Sequence, residues 1–247
     1  MTRWVRATKR TLDVLVATVG LGITLPFYPL IAAAIFLESP GSIFFRQLRA
    51  GELLGPVVGQ RGRFHFRQFH MLKFRSMRSD AEAYSGPTLA EEDDPRVTRV
   101  GRILRRTRLD ELPQFLNVLR GDMSIIGPRP ERPELMVDLA LAIPFFEERM
   151  DGIKPGITGL AQVSLGYAGR PPDGSRLAKM AEDLTNPFKV EGTEGALADD
   201  MRMKLLCDLA YSLAAEKWTT FARMEAEILA RTPLVMVKGL GRKGLGR

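Results

Sequence analysis

Cysteine and histidine are almost absent from this chain of 247 residues, which has one cysteine, Cys207, and two histidines, His65 and His70. A single cysteine excludes an intrachain disulfide and a zinc site built from several cysteines. The two histidines lie five positions apart on one short segment, so they make a poor metal pair. They also leave little material for a Ser-His-Asp triad.

Positive charge is abundant, with a formal net charge of +7 and a pI of about 9.8. Such a balance indicates an anionic partner, which could be nucleic acid, phospholipid headgroups or a phosphorylated substrate. Charge alone does not choose among them. Hydrophobic residues make up 45% and charged residues 26%, as in ordinary globular proteins, and the length is sufficient for a real core.

A long uncharged apolar run occupies residues 14–37, enough on length to span a bilayer. Positive charges precede this run, so we expect the N-terminus to stay in the cytoplasm. The charges are Arg3, Arg6, Lys9 and Arg10. A cleaved signal peptide fits poorly, because the run is too long and no small-residue cleavage site follows it.

Two prolines, Pro26 and Pro29, interrupt the middle of the run and predict a sharp break in the helix. The halves, residues 14–25 and 27–37, each reach roughly 17 Å, about half of the hydrocarbon core. A re-entrant hairpin that enters and leaves by one membrane face fits these lengths. From the run alone, a kinked spanning helix and a buried helix of a soluble core stay open.

The remaining sequence alternates short extended and helical patterns. Residues 43–47 predict a short strand, the glycine-rich residues 50–63 a loop, and residues 64–74 a half-buried strand or hairpin. Residues 131–151 look helical, residues 168–200 look like an irregular insertion, and residues 201–231 predict one or two amphipathic helices.

The best helix signal follows an acidic pair. Apolar residues at i, i+3, i+4 and i+7 form one stripe, namely Leu112, Phe115, Leu116 and Leu119. Asp110 suits the N-cap of this helix, Pro113 its first turn and Gly121 the position just past its end.

Asp110 and Glu111 are the first candidates for chemistry. An ionised Asp at a helix N-terminus can act as a nucleophile, and two adjacent carboxylates can share Mg²⁺ with a substrate pyrophosphate. Taken alone, an Asp-Glu pair at a helix start is ordinary capping. By the same default, the basic run ending at Arg108 is a solvated or membrane-facing surface, and Arg129 in its Gly-Pro-Arg-Pro corner is an exposed turn residue.

Nine short motifs occur in a fixed order along the chain, and together they indicate a family that no single motif would identify. They are Lys9-Arg10-Thr11-Leu12-Asp13, the proline-broken run, Ser39-Pro40-Gly41 with Phe44-Phe45-Arg46-Gln47, Lys73-Phe74-Arg75-Ser76-Met77, Asp94-Pro95-Arg96-Val97-Thr98, Leu109-Asp110-Glu111-Leu112-Pro113-Gln114, Gly121-Asp122-Met123-Ser124, Gly127-Pro128-Arg129-Pro130 and Lys154-Pro155-Gly156-Ile157-Thr158-Gly159. Together they resemble the bacterial sugar transferase family, the monotopic polyprenyl-phosphate phosphoglycosyl transferases.

The resemblance implies an activity: transfer of a phosphosugar from a UDP-sugar to polyprenyl (undecaprenyl) phosphate, with release of UMP. This reaction is the first membrane step of exopolysaccharide, O-antigen or glycoprotein glycan assembly. By the match, Asp110 attacks the pyrophosphate and forms a covalent aspartyl-phosphosugar, and Glu111 assists with Mg²⁺ or with protons. The implied metal ligands are Asp110 and Glu111, and the implied phosphate-binding residues are Arg129, Lys73, Arg75 and Arg108.

The resemblance also implies the architecture, an α/β, mostly helical fold. A re-entrant membrane helix-hairpin broken at Pro26 and Pro29 precedes a cytosolic catalytic domain with a small β-hairpin and interfacial amphipathic helices. We therefore divide the chain into a membrane anchor (1–41), a catalytic core (42–166), an irregular insertion (167–200), and C-terminal amphipathic helices with a basic tail (201–247). The expected location is the inner (cytoplasmic) membrane, monotopic, with the catalytic domain on the cytoplasmic face.

The expected partners are the UDP-sugar, polyprenyl phosphate and inner-membrane lipid, with no nucleic acid, and formation of a homodimer is left open. Three alternatives remain. A membrane-bound glycosyltransferase would release UDP instead of UMP. A basic nucleic-acid-binding protein would leave the broken run and the acidic pair unexplained. A catalytically dead membrane scaffold would not need Asp110, Glu111 and Arg129.

Overall fold

The computed structural model describes residues 1–57, 64–79, 81, 94–165, 174–175, 178–179 and 197–241. These residues are mostly helical. The helices are α1 (Arg3–Thr24), α2 (Tyr28–Glu38), α3 (Arg99–Thr107), α4 (Gln114–Arg120), α5 (Pro133–Ala142), α6 (Leu160–Leu165), α7 (Leu197–Ala214) and α8 (Trp218–Gly241), with 3-10 turns at Leu25–Phe27, Leu109–Glu111 and Phe146–Met150. The strands are β1 (Phe44–Pro56), β2 (Phe64–Phe74), β3 (Ser124–Ile126) and β4 (Gly156–Thr158).

The apolar N-terminal segment is one helical stretch interrupted at the two prolines. Helix α1 ends at Thr24, the 3-10 turn Leu25–Phe27 contains Pro26, and Pro29 lies at the start of α2. The break predicted from the prolines is therefore confirmed. By length and composition, the stretch Arg3–Glu38 can cross a membrane, with a mean hydropathy of 1.9 in its most apolar window.

One face of this segment packs on the rest of the protein and the other is open. Ala17 of α1 belongs to the main core, and Ile31 and Ile35 of α2 pack against Phe74 and Leu104. Large apolar side chains are exposed on the other face, among them Leu15, Val19, Ile23, Phe27, Leu30 and Leu37. Only 11% of the most apolar window is buried, whereas the core helix of a soluble protein would be mostly buried.

Polar side chains attach α1 to distant parts of the chain. The Lys9 ammonium lies 3.0 Å from a Glu225 carboxylate oxygen of α8. Arg10 donates to the last carbonyls of α4. Asp13 accepts hydrogen bonds from the Ser124 hydroxyl and the Ile125 amide. Lys9 and Asp13 are buried and Arg10 is half-buried, and each makes hydrogen bonds to another element. The position of α1 is therefore set by directional contacts as well as by apolar packing.

Strands β1 and β2 form an antiparallel ribbon that is longer than the sequence predicted. The strand predicted at residues 43–47 continues to Pro56, so the loop prediction is wrong over residues 50–56, while residues 58–63 lie outside the described part. The register shifts between Ala50 and Leu53 and again between Leu53 and Gly55. Glycines in this stretch therefore mark bulges, which bend a strand without ending it. The strand predicted at 64–74 is confirmed.

Strands β3 and β4 pair in parallel and bring two tight corners together. A Cβ atom on Gly156 would lie 2.1 Å from the Gly127 backbone nitrogen, and one on Gly127 would lie 2.3 Å from the Lys154 carbonyl. Only glycine allows this approach. The Gly127–Pro130 corner is thus fixed against the turn that follows Lys154.

The later segments agree with the sequence in part. The predicted helix at 131–151 is α5 followed by the 3-10 turn Phe146–Met150. The two amphipathic helices expected after residue 201 are α7 and α8. Helix α7 begins at Leu197, inside the range expected to be irregular, and most of residues 167–196 lies outside the described part.

Candidate active site

The acidic pair lies on a tight turn between α3 and α4. Helix α3 ends at Thr107, its C-cap Arg108 has a left-handed φ of 60°, and the 3-10 turn Leu109–Glu111 follows at once. A left-handed non-glycine residue is uncommon and is concentrated at functional sites. Asp110 is not the N-cap of α4, which is Pro113. The backbone around Asp110 is already helical, whereas an N-cap residue needs an extended conformation.

Glu111 is held by three cations. One of its carboxylate oxygens lies 2.9 Å from Lys73 Nζ, 3.2 Å from Arg129 Nη2 and 4.0 Å from Arg108 Nη1. Burial alone would raise the pKa of Glu111, but Lys73 and Arg129 lower it well below its ordinary value. Glu111 is therefore an ionised anchor for basic groups from β2, the Gly127–Pro130 corner and the α3 terminus.

Asp110 has the opposite environment. Its side chain is buried, and its Oδ1 atom has no hydrogen-bond partner among the described residues. Burial raises the pKa of Asp110, Lys73 lowers it and the neighbouring Glu111 raises it again, with a net upward shift. A carboxylate with a raised pKa and an unused lone pair is a better nucleophile than one tied into ion pairs.

The structure brings three of the four expected phosphate-binding residues to the acidic pair and separates the fourth. Lys73, Arg108 and Arg129 surround Glu111. The Arg75 side chain instead donates through Nη2 to the Ser39 carbonyl and lines a separate cavity. Lys73 and Arg75 are two positions apart in sequence, but β2 ends at Phe74, so strand alternation no longer directs Arg75.

The described residues contain no cluster of three or more His, Cys, Asp or Glu side chains that could hold a metal ion. The three cations around Glu111 also make it a poor metal ligand. Among the described residues, Asp110 Oδ1 has no hydrogen-bond partner. The residues present therefore fit Mg²⁺ through one carboxylate, that of Asp110, with the rest of its shell left to water and substrate phosphate.

Sequence reasoning missed two buried residues that position this site. Asn117 of α4 accepts a hydrogen bond from the Leu72 amide at 2.9 Å and donates to the His70 carbonyl at 2.8 Å, so it clamps α4 to β2. This clamp sets Lys73 against the acidic pair. The available signal was an asparagine between two apolar residues of the helix.

Arg149 is the second residue that was missed. Its guanidinium forms a buried ion pair with Asp208 at 2.7 Å and donates to the backbone carbonyl of Arg129 at 3.1 Å. This contact fixes the corner that carries Arg129. Arg149 lies among other charged residues, Glu147, Glu148 and Asp151, so nothing in the sequence singled it out or identified its partner.

A broken apolar helix with one open face, placed beside a buried carboxylate pair ringed by cations, defines a class: a membrane-associated enzyme for phosphorylated substrates. The family follows from comparison with known proteins. The chain belongs to the bacterial sugar transferase family, whose sequence profile matches residues 4–239, which confirms the resemblance drawn from the motifs.

Three relatives illustrate this membership. The UDP-N-acetylgalactosamine-undecaprenyl-phosphate N-acetylgalactosaminephosphotransferase of Aeromonas hydrophila is 43% identical over 165 residues, 67% of this chain and 36% of that protein. A UDP-glucose:undecaprenyl-phosphate glucose-1-phosphate transferase of Caulobacter vibrioides is 45% identical over 157 residues, 63% of this chain and 53% of that protein. The exopolysaccharide production protein PSS of Rhizobium leguminosarum bv. phaseoli is 38% identical over 181 residues, 71% of this chain and 83% of that protein. The chain thus spans less than two thirds of the first two.

Proposed function

We propose that this protein transfers a sugar 1-phosphate from a UDP-sugar to undecaprenyl phosphate, giving undecaprenyl-diphosphate-sugar and UMP. The names of the relatives supply the substrate classes. The single structural observation that carries the proposal is the division of roles between adjacent carboxylates. Glu111 neutralises the basic groups, and Asp110 keeps a buried oxygen that has no hydrogen-bond partner among the described residues.

In the first half-reaction, a carboxylate oxygen of Asp110 attacks the sugar-bearing phosphorus of the UDP-sugar. The bond from that phosphorus to the bridging oxygen breaks, and UMP leaves with the bridging oxygen. Lys73, Arg108 and Arg129 are placed to stabilise negative charge that develops on the phosphoryl oxygens. The sugar phosphate remains on Asp110 as an acyl phosphate.

In the second half-reaction, a phosphate oxygen of undecaprenyl phosphate attacks the same phosphorus. The acyl phosphate bond breaks, the Asp110 carboxylate is released, and the new diphosphate carries the lipid and the sugar. Glu111 stays ionised throughout because the three cations hold it, so its role is to orient Lys73 and Arg129. Asp110 would hold Mg²⁺ together with substrate phosphate oxygens, and the metal would supply neutralisation of pyrophosphate charge.

The N-terminal segment is proposed to be a re-entrant hairpin that breaks at Pro26 and Pro29, with the catalytic body on the cytoplasmic face of the inner membrane. Two observations support this. Both halves contact the same body, α1 through Ala17 and α2 through Ile31. A straight stretch of this length would reach about 54 Å and carry one half away from it.

Topology can be tested with variants that each carry one added cysteine. The native Cys207 can stay, because it is buried and burial raises its thiol pKa to about 11. Low exposure and little thiolate make it a poor target for a thiol reagent. We expect cysteines at positions 3 and 42 to be labelled from the cytoplasmic side. Labelling of either position by a membrane-impermeant reagent from the periplasm would contradict the hairpin.

The covalent step is tested by trapping. Purified protein in detergent receives a UDP-sugar labelled in the sugar and no lipid acceptor, and protein-bound label is counted after denaturation. We expect label on the wild type, its release by hydroxylamine as for an acyl phosphate, and none on Asp110→Asn. The matched control is Asp138→Asn, the same substitution at an exposed aspartate of α5 outside the site. Label that survives Asp110→Asn would rule out Asp110 as the nucleophile.

A further inference from the structure

A cavity of about 250 Å³ is lined by Ser42, Phe44, Phe45, Arg75, Ser76 and Arg105 among others. Pockets that hold a whole drug-sized ligand have volumes of roughly 300–1,000 Å³. This cavity therefore suits one group of a larger molecule and not an entire sugar nucleotide or lipid.

Arg75 is the unusual residue in the lining of this cavity, because its charged side chain is buried. Only 7% of the residue is exposed, and its Nε and Nη1 atoms have no hydrogen-bond partner among the described residues. Its Nη2 atom donates to the Ser39 backbone carbonyl. A buried guanidinium with unused donors is costly unless a ligand supplies acceptors.

The charged residues that line the cavity, within the part of the chain that the structure describes, have one sign. Among the described residues that line it there are three arginines and no carboxylate. Arg105 Nε donates to the Ser76 hydroxyl at 2.7 Å, which places a second guanidinium on this wall. Phe44, Phe45 and Met77 add apolar surface. The lining thus matches an anion attached to an apolar or aromatic group.

The cavity adjoins both the acidic pair and the end of the apolar segment. Phe45 is the cross-strand partner of Lys73, the residue that contacts Glu111. Asp110 acts electrostatically on Arg105. On the other side, Arg75 contacts Ser39, the residue that follows α2. A ligand in this position would be close to the reacting carboxylate and close to the segment with the open apolar face.

We propose that this cavity is a binding subsite for a phosphate monoester, separate from the cations that surround Glu111. The inference rests on the proposed function, in which two phosphate monoesters take part. UMP leaves after the first half-reaction and carries an aromatic base. Undecaprenyl phosphate enters for the second and carries an apolar chain. Both offer the anion and the apolar flank that the lining matches.

Equilibrium binding to the full chain in detergent tests the subsite, with UMP and undecaprenyl phosphate as separate probes. Arg75→Met should weaken binding of one probe by about 10- to 100-fold, since a hydrogen bond to a charged group contributes roughly 1.5–3 kcal/mol. Arg75→Lys should retain part of that affinity. Arg46→Met, on the exposed face of the same β ribbon, should bind both probes as the wild type does.

Thermal midpoints of all variants show whether Arg75→Met folds. If it does not, Ser42→Phe answers the same question, because it places a ring at the exposed wall of the cavity and leaves Arg75 intact. Weakened UMP binding assigns the subsite to the leaving nucleotide, and weakened undecaprenyl phosphate binding assigns it to the acceptor. Unchanged binding of both probes in a folded variant would overturn the proposal.

Failure of the phosphate subsite can be distinguished from failure of the proposed function. Arg75-dependent probe binding without UMP release from any UDP-sugar would refute the proposed function and retain the phosphate subsite. Normal UMP release together with probe binding that is insensitive to Arg75→Met and Ser42→Phe would refute the subsite alone.

Discussion

Glu111→Gln should destabilise the protein, whereas Asp110→Asn should not, although the two residues are adjacent. Removing one partner of a buried ion pair costs about 3–5 kcal/mol, because the remaining charge is left uncompensated. Around Glu111 the cations keep some water, since Lys73 and Arg129 side chains are 16% and 35% exposed. We therefore expect Glu111→Gln to lose about 2–3 kcal/mol, or a thermal midpoint lower by roughly 5–10 °C.

Asp110→Asn should leave the midpoint equal or higher at neutral pH. The folded protein disfavours the ionised form of Asp110, so its raised pKa means that ionisation destabilises the fold. Asparagine removes that charge and keeps the shape. Asp110→Asn should therefore abolish turnover while the protein stays at least as stable as the wild type.

The stability changes of the two variants should depend on pH in different ways. The gain from Asp110→Asn should shrink as pH falls through the raised pKa of Asp110 and vanish below its ordinary value of 3.8, where both states are protonated. Glu111 has a lowered pKa, so its stabilisation is complete above its ordinary value of 4.5 and is lost only as pH falls through the lowered value. The Glu111→Gln deficit should thus be constant between about pH 5 and 7.

Thermal unfolding in one detergent, followed by intrinsic fluorescence from neutral to acidic pH, provides the measurement. Equal midpoints for the two variants at neutral pH would refute the assignment of Glu111 as anchor and Asp110 as the free carboxylate. A gain from Asp110→Asn that grows towards acidic pH would refute the sign of its pKa shift.

Two further predictions concern the packing that holds the site. Asn117→Ala should destabilise the protein by about 2–4 kcal/mol, measured by denaturant unfolding, because it leaves the buried Leu72 amide without an acceptor; a loss below about 1 kcal/mol would mean that water replaces the side chain. Gly101→Ala should lower the thermal midpoint, because its Cβ would lie 1.9 Å from the Ser76 carbonyl, whereas Gly22→Ala, with nothing within 4 Å, should not. Equal midpoints for the two alanine variants would contradict this packing.

Local chemistry explains what the sequence predicted well. Prolines at 26 and 29 remove amide donors, so the position of the helix break could be inferred without tertiary information. Gly121 ends α4 with a φ of 89°, as expected for a glycine just past a helix. The alternation of apolar and polar residues over 64–74 identified β2, because successive side chains of a strand point to opposite faces.

Distant contacts explain what the sequence did not predict. Nothing local indicates that Lys9 pairs with Glu225, 216 positions away, or that Arg149 holds the carbonyl of Arg129. From the sequence, Lys9 was a positive charge before the apolar run and part of one family motif. In the structure it also forms a buried ion pair.

The candidate site shows the same division. The family motifs identified Asp110 and Glu111, but only the fold separates their roles, because three cations converge on Glu111 from β2, α3 and the Gly127–Pro130 corner. The sequence analysis grouped Arg75 with Lys73 because both belong to one motif. Strand β2 ends at Phe74, between the two residues, and their side chains lie at different sites.

Nucleotide release from the full chain tests the central claim most directly. Protein in detergent receives Mg²⁺, undecaprenyl phosphate and one UDP-sugar at a time, and UMP and UDP are quantified separately. Phosphosugar transfer predicts UMP with one or a few UDP-sugars, and none from Asp110→Asn. Release of UDP would contradict the account, because it would mean that the sugar is transferred without its phosphate.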